Sequence, residues 1–278
     1  MNTDSITEIT EITGRTDRYN FHSHSEFCDG RAPISEIAGA ALAEGFEVWG
    51  VSPHSPISID SSCNMRREDM PNYLDVMDSL KERYDGRMRL LTSLEIDFLY
   101  RDFGPHIDYF QKLPLDYRIG SVHFVPNRDG FAVDCDGGAE RFKGYLRGVF
   151  KNDLRYVVER YFEQVLFMLE LGGFDMLGHF DKIIGNASAV DPTIEDQHWY
   201  EALIDDVVSA AKSTGVVVEI NTKAIHDRTR LYPATRWWPK LLSAGLPLAI
   251  NSDCHYPDRT NLGRPEALTQ LKQLLAQA

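Results

Sequence analysis

Cysteine is scarce in this chain: Cys28, Cys63, Cys135 and Cys254 are the only four in 278 residues, and no two form a CxxC pair. No disulfide framework is expected, and a reducing cytoplasm is the expected compartment. Basic residues are outnumbered, 29 Lys and Arg against 42 Asp and Glu, and the net charge of −13 argues against a nucleic-acid-binding surface. Apolar runs stop after a few residues, far short of the roughly 20 that cross a bilayer, so no membrane partner is expected. Residues 1–20 are polar and acidic with no apolar h-region, so no secretory leader is expected. A Pro/Gly/Ser-rich linker is also missing. Residues 18–278 are therefore read as one domain. Residues 1–17, with an Ile-Thr-Glu repetition over Ile6–Thr13, are read as a flexible extension. A content of 43% hydrophobic and 26% charged residues suits a soluble protein with a sizeable core and excludes general disorder.

What the sequence does have is a rhythm. Short β-rich runs fall at Tyr19–His24, Val48–His54, Leu90–Phe98, Tyr117–Phe124, Met176–Phe180, Val216–Asn221 and Leu248–Asp253. Helical patterns lie between them, at 33–45, Met70–Tyr84, Asp153–Leu171, Gln197–Thr214 and Pro239–Ala244. In the first of these, Pro33 suits a helix start and Gly45 the position after its end. Strand–helix alternation predicts an α/β fold with a parallel sheet. Seven strands point to a barrel related to the eight-stranded kind, with a doubly wound open sheet as the alternative.

Six of the nine histidines, His22, His24, His54, His123, His179 and His255, fall at or just beyond the ends of these runs. In a parallel α/β barrel that end builds the active site. His22-Ser23-His24 places two imidazoles on one strand face, and Asp253-Cys254-His255 does the same with a carboxylate and an imidazole. Glu95 ends an apolar strand pattern, where a carboxylate is costly unless it is paired or binds a cation. Asp29 follows on the loop that leaves the first strand. Imidazoles and carboxylates without a thiolate set suit Zn, Fe or Mn. His22, His24, Asp29, His54, Glu95, His123, His179, Asp253 and His255 are too many donors for one tetrahedral ion, so two or three neighbouring divalent ions are expected. Three such ions against three carboxylates leave the pocket positive, which suits an anionic substrate in an acidic protein.

The run Asn20-Phe-His22-Ser-His24 … Cys28-Asp29-Gly30, with Ser52-Pro-His54, Leu94-Glu95, Gly120-Ser-Val-His123-Phe, Gly178-His179-Phe-Asp181, Glu219-Ile-Asn221-Thr222 and Ser252-Asp253-Cys-His255, resembles the PHP (polymerase and histidinol phosphatase) metallohydrolase family. Within it the sequence is most similar to the stand-alone histidinol-phosphate phosphatases. The likeness runs from residue 18 to about 270, with the motifs in the family's order. It implies a single distorted TIM-like (β/α)7 barrel with a trinuclear site at the C-terminal strand ends. By the same likeness, His22, His24, Glu95 and Asp253 hold one ion. Glu95 bridges to a second, completed by His123 and His179, and Asp29, His54 and His255 hold the third. Cys254 stands where the family more often has a small residue such as Ala, and is read as a packed small hydrophobe.

The expected reaction is hydrolysis of L-histidinol phosphate to L-histidinol and phosphate, as in histidine biosynthesis, by attack of a metal-bridging hydroxide on phosphorus. No Cys-x5-Arg loop points to a phospho-enzyme route. Asp29, His255 and Arg228 are the candidate catalytic groups, with Asp29 and His255 as proton carriers. Asn221–Pro233 follows the sixth strand and is similar to the family's basic loop. Lys223 and Arg228 lead the candidates for substrate contact, followed by Arg230 and His226; His226 departs from the aromatic residue expected in relatives. The alternative substrate is another small monoester, a nucleotide or sugar phosphate. A catalytically silent PHP domain is disfavoured by the intact donor set, and an amidohydrolase by the lack of a strand-end lysine. Residues 127–151 read as a lid or specificity loop in which Asp134 and Asp136 are taken as turn residues. Trp237-Trp238 are read as packing a helix start.

Overall fold

Eight short parallel strands carry the architecture, and nearly all of their residues are buried, the pattern of strands covered on both sides. A computed structural model describes residues 3–277. Its strands are β1 (Tyr19–Asn20), β2 (Val48–Val51), β3 (Arg89–Thr92), β4 (Glu95–Asp97), β5 (Ile119–Ser121), β6 (Phe124–Pro126), β7 (Ala132–Asp134), β8 (Met176–Leu177), β9 (Val217–Asn221) and β10 (Leu248–Asn251). Its helices are α1 (Thr3–Arg15), α2 (Ile34–Ala43), α3 (Met70–Tyr84), α4 (Asp108–Gln111), α5 (Ala139–Gly148), α6 (Leu154–Leu171), α7 (Ile184–Ala187), α8 (His198–Thr214), α9 (Ile225–Arg228), α10 (Trp238–Ala244) and α11 (Arg264–Leu275).

The strands form two parallel sheets, β1-β2-β3 and β10-β9-β8-β5-β4, and a separate antiparallel hairpin, β6-β7. Single parallel pairs link the two sheets: Ser23 with Cys254, just past the edge strands β1 and β10, and His54, just past the central strand β2, with Glu95 of the edge strand β4. The His24 amide donates to the Cys254 carbonyl at 2.9 Å, and the Ser55 amide to the Glu95 carbonyl at 2.8 Å. The long run expected over Leu90–Phe98 is divided, because the chain changes partner at Ser93-Leu94. Ser93 N–H donates to Val51 on one side, and Leu94 accepts from Ile119 on the other. The β9 strand reaches its expected end at Asn221, whereas β1, β2, β5, β8 and β10 stop short of theirs, with the histidines just past the last ladder pair.

Residues 1–17 were expected as a flexible extension, and over Thr3–Arg15 that expectation fails. They form α1, whose Ile9 and Ile12 are buried against Tyr19, Val48, Leu91, Ile119, Met176, Val217 and Ala249 at the starts of the strands. The Ile-Thr-Glu repetition is an amphipathic period that puts isoleucines three apart on one face. The helix therefore closes the end of the fold opposite the histidines. Met1 and Asn2 lie outside the described residues. The 127–151 stretch is not a bare loop either: it holds the β6-β7 hairpin and α5. Asp134 is a turn residue as expected, its Oδ1 accepting from the Asp136 and Gly137 amides. Trp238 is fully buried and donates from Nε1 to the Pro233 carbonyl, and Trp237 packs near Tyr200. All four cysteines are free. Cys254 is buried in the core beside Trp49 and Leu94, and burial pushes its thiol far up.

Candidate metal centre

The nine donors singled out in the sequence converge at the C-terminal ends of the parallel strands. His22 and His24 follow β1, His54 follows β2, and Glu95 opens β4. His123 follows β5, His179 follows β8, and Asp253 and His255 follow β10. Local sequence makes these exits. A Cβ at Gly178 would sit 2.3 Å from the Ser121 hydroxyl, so only glycine lets the strand bearing His179 lie that close to β5. Asp253 has φ of 47°, a left-handed conformation that a short polar side chain tolerates, and this turns its carboxylate inward.

Glu95 is the hub. Its Oε2 lies 3.0 Å from His54 Nδ1, 3.2 Å from His22 Nε2 and 3.4 Å from His24 Nε2. Its Oε1 lies 2.8 Å from His179 Nε2 and 3.4 Å from His123 Nε2. Asp253 Oδ1 is 3.0 Å from His24 Nε2, and Asp29 Oδ1 is 3.2 Å from His255 Nε2. Four sets of donors are close enough to share an ion: His24, Asp29, His54 and His255; His22, Glu95 and His179; His22, His24 and Asp253; and His54, Asp97 and His123. The last includes a residue the sequence reading did not select.

Burial opposes charge on Glu95, His22 and His24, and the neighbours decide the outcome. Burial would lift Glu95, but the His54, His22 and His123 imidazoles hold it well below the carboxylate range. Burial would depress His22, but the Glu219, Asp253 and Glu95 carboxylates outweigh it and raise the imidazole. His24 goes the other way: burial, then His255 and His54, hold it well below its usual value. The cage thus mixes imidazoles that favour a proton with others that refuse one.

These residues fit divalent cations. Buried Glu95 Oε2, Asp253 Oδ1, Asp29 Oδ1 and His123 Nε2 make no hydrogen bond among the described residues, although each faces the others. His22 Nε2 and His24 Nε2 face one another at 3.1 Å, where two lone pairs repel unless a cation or proton lies between them. Buried, unpaired acceptors are expensive, and cations shared among them remove that cost.

Three functional residues were missed. Asp97 lies two residues after Glu95, and its Oδ1 is 2.6 Å from His123 Nδ1. The Asn64 side chain donates to the other Asp97 oxygen at 2.7 Å. Glu219 Oε1 is 2.7 Å from His22 Nδ1, and its Oε2 accepts from the His179 amide at 2.9 Å. Both carboxylates orient ring nitrogens whose other side faces the cage. The signal was present, since each is an acidic residue in an apolar strand run. Nothing in the sequence marks Asn64, which comes from a loop.

The basic segment divides. Lys223 reaches the cage, with Nζ 3.0 Å from His255 Nε2 and 3.5 Å from Asp253 Oδ1. Arg228 is exposed and lies over Gly185 beside the Tyr232 hydroxyl, at the rim. His226 is exposed on α9. Arg230, expected as a substrate contact, is turned to Glu195 in a two-pronged pair at 3.0 and 2.6 Å. Its planar fork is already matched by that carboxylate.

A family model described as the PHP domain matches residues 20–223. The chain belongs to the PHP domain family. A probable histidinol-phosphatase of Deinococcus radiodurans is 26% identical over 267 residues, 91% of this chain and 92% of that protein. The fold is shared with the hisK structure of Listeria monocytogenes, at a TM-score of 0.79 and 19% identity, covering 89% of this chain and 99% of that one. It is also shared with the histidinol phosphate phosphatase of Lactococcus lactis, solved with zinc, L-histidinol and phosphate, at a TM-score of 0.70 and 19% identity. That match covers 93% of this chain and 94% of the Lactococcus chain. Among the described residues no helix is long and apolar enough to cross a membrane.

Proposed function

We propose that the chain is a metal-dependent phosphomonoesterase that hydrolyses L-histidinol phosphate to L-histidinol and phosphate. The observation that carries this reading is the cage: nine imidazole and carboxylate donors, Glu95 central to them, with unpaired buried acceptors among them. The Deinococcus relative and the ligands of the Lactococcus structure support the substrate. A seven-stranded barrel belongs to the proposal, and the Ser23–Cys254 and His54–Glu95 pairs support closure between the two sheets. A soluble, cytoplasmic enzyme acting on a small anionic ester goes with it.

Two or three Zn, Fe or Mn ions would be held by His22, His24, Asp29, His54, Glu95, His123, His179, Asp253 and His255. When bound, they supply acidified water and neutralise phosphoryl charge. The protein's own groups do the rest. Lys223 meets a phosphoryl oxygen from the rim of the cage, and Arg228 approaches from α9. Asp29 and His255, 3.2 Å apart, are the groups assigned to proton transfer to the departing alkoxide. Asp97 and Glu219 keep His123 and His22 oriented. Inorganic phosphate release from L-histidinol phosphate by metal-reconstituted protein, with and without chelator, tests the reading. Fast, chelator-sensitive release is expected. No release from metal-replete protein would overturn the substrate and direct the search to other phosphate monoesters.

A further inference from the structure

Lys182 has no part in the account so far, yet it is built into the same end of the fold. It lies one turn past His179, its amide donating to the His179 carbonyl at 2.9 Å. Its side chain is only 11% exposed, and its Nζ is 3.0 Å from Asp136 Oδ2. A buried ammonium needs an anion, and here the anion comes from the segment between β7 and α5.

That segment is held in place for the purpose. The Asn186 side chain, on α7 just beyond Lys182, donates to the Cys135 carbonyl at 2.9 Å and the Gly137 carbonyl at 2.6 Å. The two carbonyls flank Asp136, so its carboxylate is presented from a fixed backbone. The turn itself is made by Asp134, which leaves the Asp136 oxygens free for other partners. Asp136 lines a pocket of about 130 Å³ together with Asp29, His54, Asp97, His123 and Lys223. Burial opposes its charge, but Lys182, then His123, Lys223 and His179, hold it ionised far below the carboxylate range. Lys182 is the cation in contact with that carboxylate, at 3.0 Å.

We propose that Lys182 is a phosphate-binding residue and that Asp136 occupies the phosphate position as an internal anion until phosphate displaces it. This rests on the phosphatase reading and deepens it. Lys182 lies behind Asp136, which lines the pocket with Lys223, so a phosphate monoester that takes the place of the Asp136 carboxylate offers the lysine the same kind of oxygen acceptor with more charge. Exchange of one anion for the other leaves the buried lysine paired throughout. It also releases the 135–137 segment from the lysine when the site is filled.

The test is calorimetric binding of inorganic phosphate to metal-loaded protein, with metal content measured in each sample. Lys182→Met is expected to weaken phosphate binding at least about tenfold, and Lys182→Arg to restore most of it. Asp136→Asn is expected to tighten phosphate binding several-fold, because the internal competitor loses its charge. Wild-type affinity in Lys182→Met would overturn the role of the lysine. Weaker binding in Asp136→Asn would overturn the displacement, and this variant still decides the matter if Lys182→Met fails to fold. Wild-type protein that turns over histidinol phosphate while these variants bind phosphate unchanged would sink this inference alone. Wild-type protein that neither binds phosphate nor releases it would sink the phosphatase reading with it.

Discussion

His123 Nδ1 lies 2.6 Å from Asp97 Oδ1, while Nε2 on the other side of the same ring faces Glu95 at 3.4 Å. The carboxylate fixes which ring nitrogen carries the proton and leaves the other as a donor to the cage. Asp97→Asn should therefore weaken metal binding about 10- to 100-fold, as loss of such orienting partners does. Titration with a competing chelator reads this directly. An unchanged metal affinity would leave Asp97 as a buried strand residue with no part in the site.

Glu95→Ala should cost more, because one side chain touches five imidazoles. Bound metal should fall by at least one ion, and kcat/KM by about a thousandfold or more. Full metal occupancy with normal turnover would refute the shared-ligand assignment.

Arg228 and Arg230 stand two residues apart and should behave oppositely. Arg228→Ala should raise KM for the phosphate ester about 5- to 20-fold with metal content intact. Arg230→Ala should leave KM alone and lower stability by about 1–3 kcal/mol, since it strands the largely buried Glu195 carboxylate. Kinetics and urea denaturation on the same two variants separate the roles; equal KM values for both would return Arg228 to the solvated surface.

Ile12→Ala tests whether α1 belongs to the core. Removing a buried isoleucine should cost about 2–4 kcal/mol and lower the melting temperature by several degrees. A loose extension would give no change.

Asp175 gives a pH signature away from the cage. Burial lifts its carboxyl to about 6, against an ordinary 3.8, with the Arg118 amide and guanidinium pulling only partly the other way. A raised acid binds its proton more tightly in the folded state, so its stabilising contribution is complete below about pH 4 and is lost as pH rises through about 6. Asp175→Asn keeps an oxygen acceptor for the Arg118 amide. It should be more stable than wild type at about pH 7, by up to about 3 kcal/mol, and no more stable at about pH 4. Denaturation at the two pH values checks this; a pH-independent difference would rule the linkage out.

The strand positions and the nine donors were legible because each is written locally. An apolar run gives a strand, and an imidazole just past it gives a place at one end of the sheet. Asp97 and Glu219 are written in the same way as Glu95, as acids in apolar strand runs where a carboxylate is costly unless paired. The fate of Arg230 could not be read, since its partner Glu195 is 35 residues away. Likewise, α1 reads as polar and acidic until its isoleucines meet the strand starts, so helix and loop were indistinguishable without that floor. The break at Ser93-Leu94 was hidden for a similar reason: one continuous apolar run serves two sheets, and composition does not record a change of partner.

That break gives the cage a mechanical role. His22, His24 and His54 leave the three-stranded sheet, whereas Glu95, His123, His179 and Asp253 belong to the five-stranded one. Any ion held at Glu95 would therefore add a rivet to a seam that the backbone crosses with a few hydrogen bonds and the Ser93-Leu94 link instead of a full ladder. Stripping the ions would free the two sheets to part along that line, so loading the site and holding the scaffold shut would be one event.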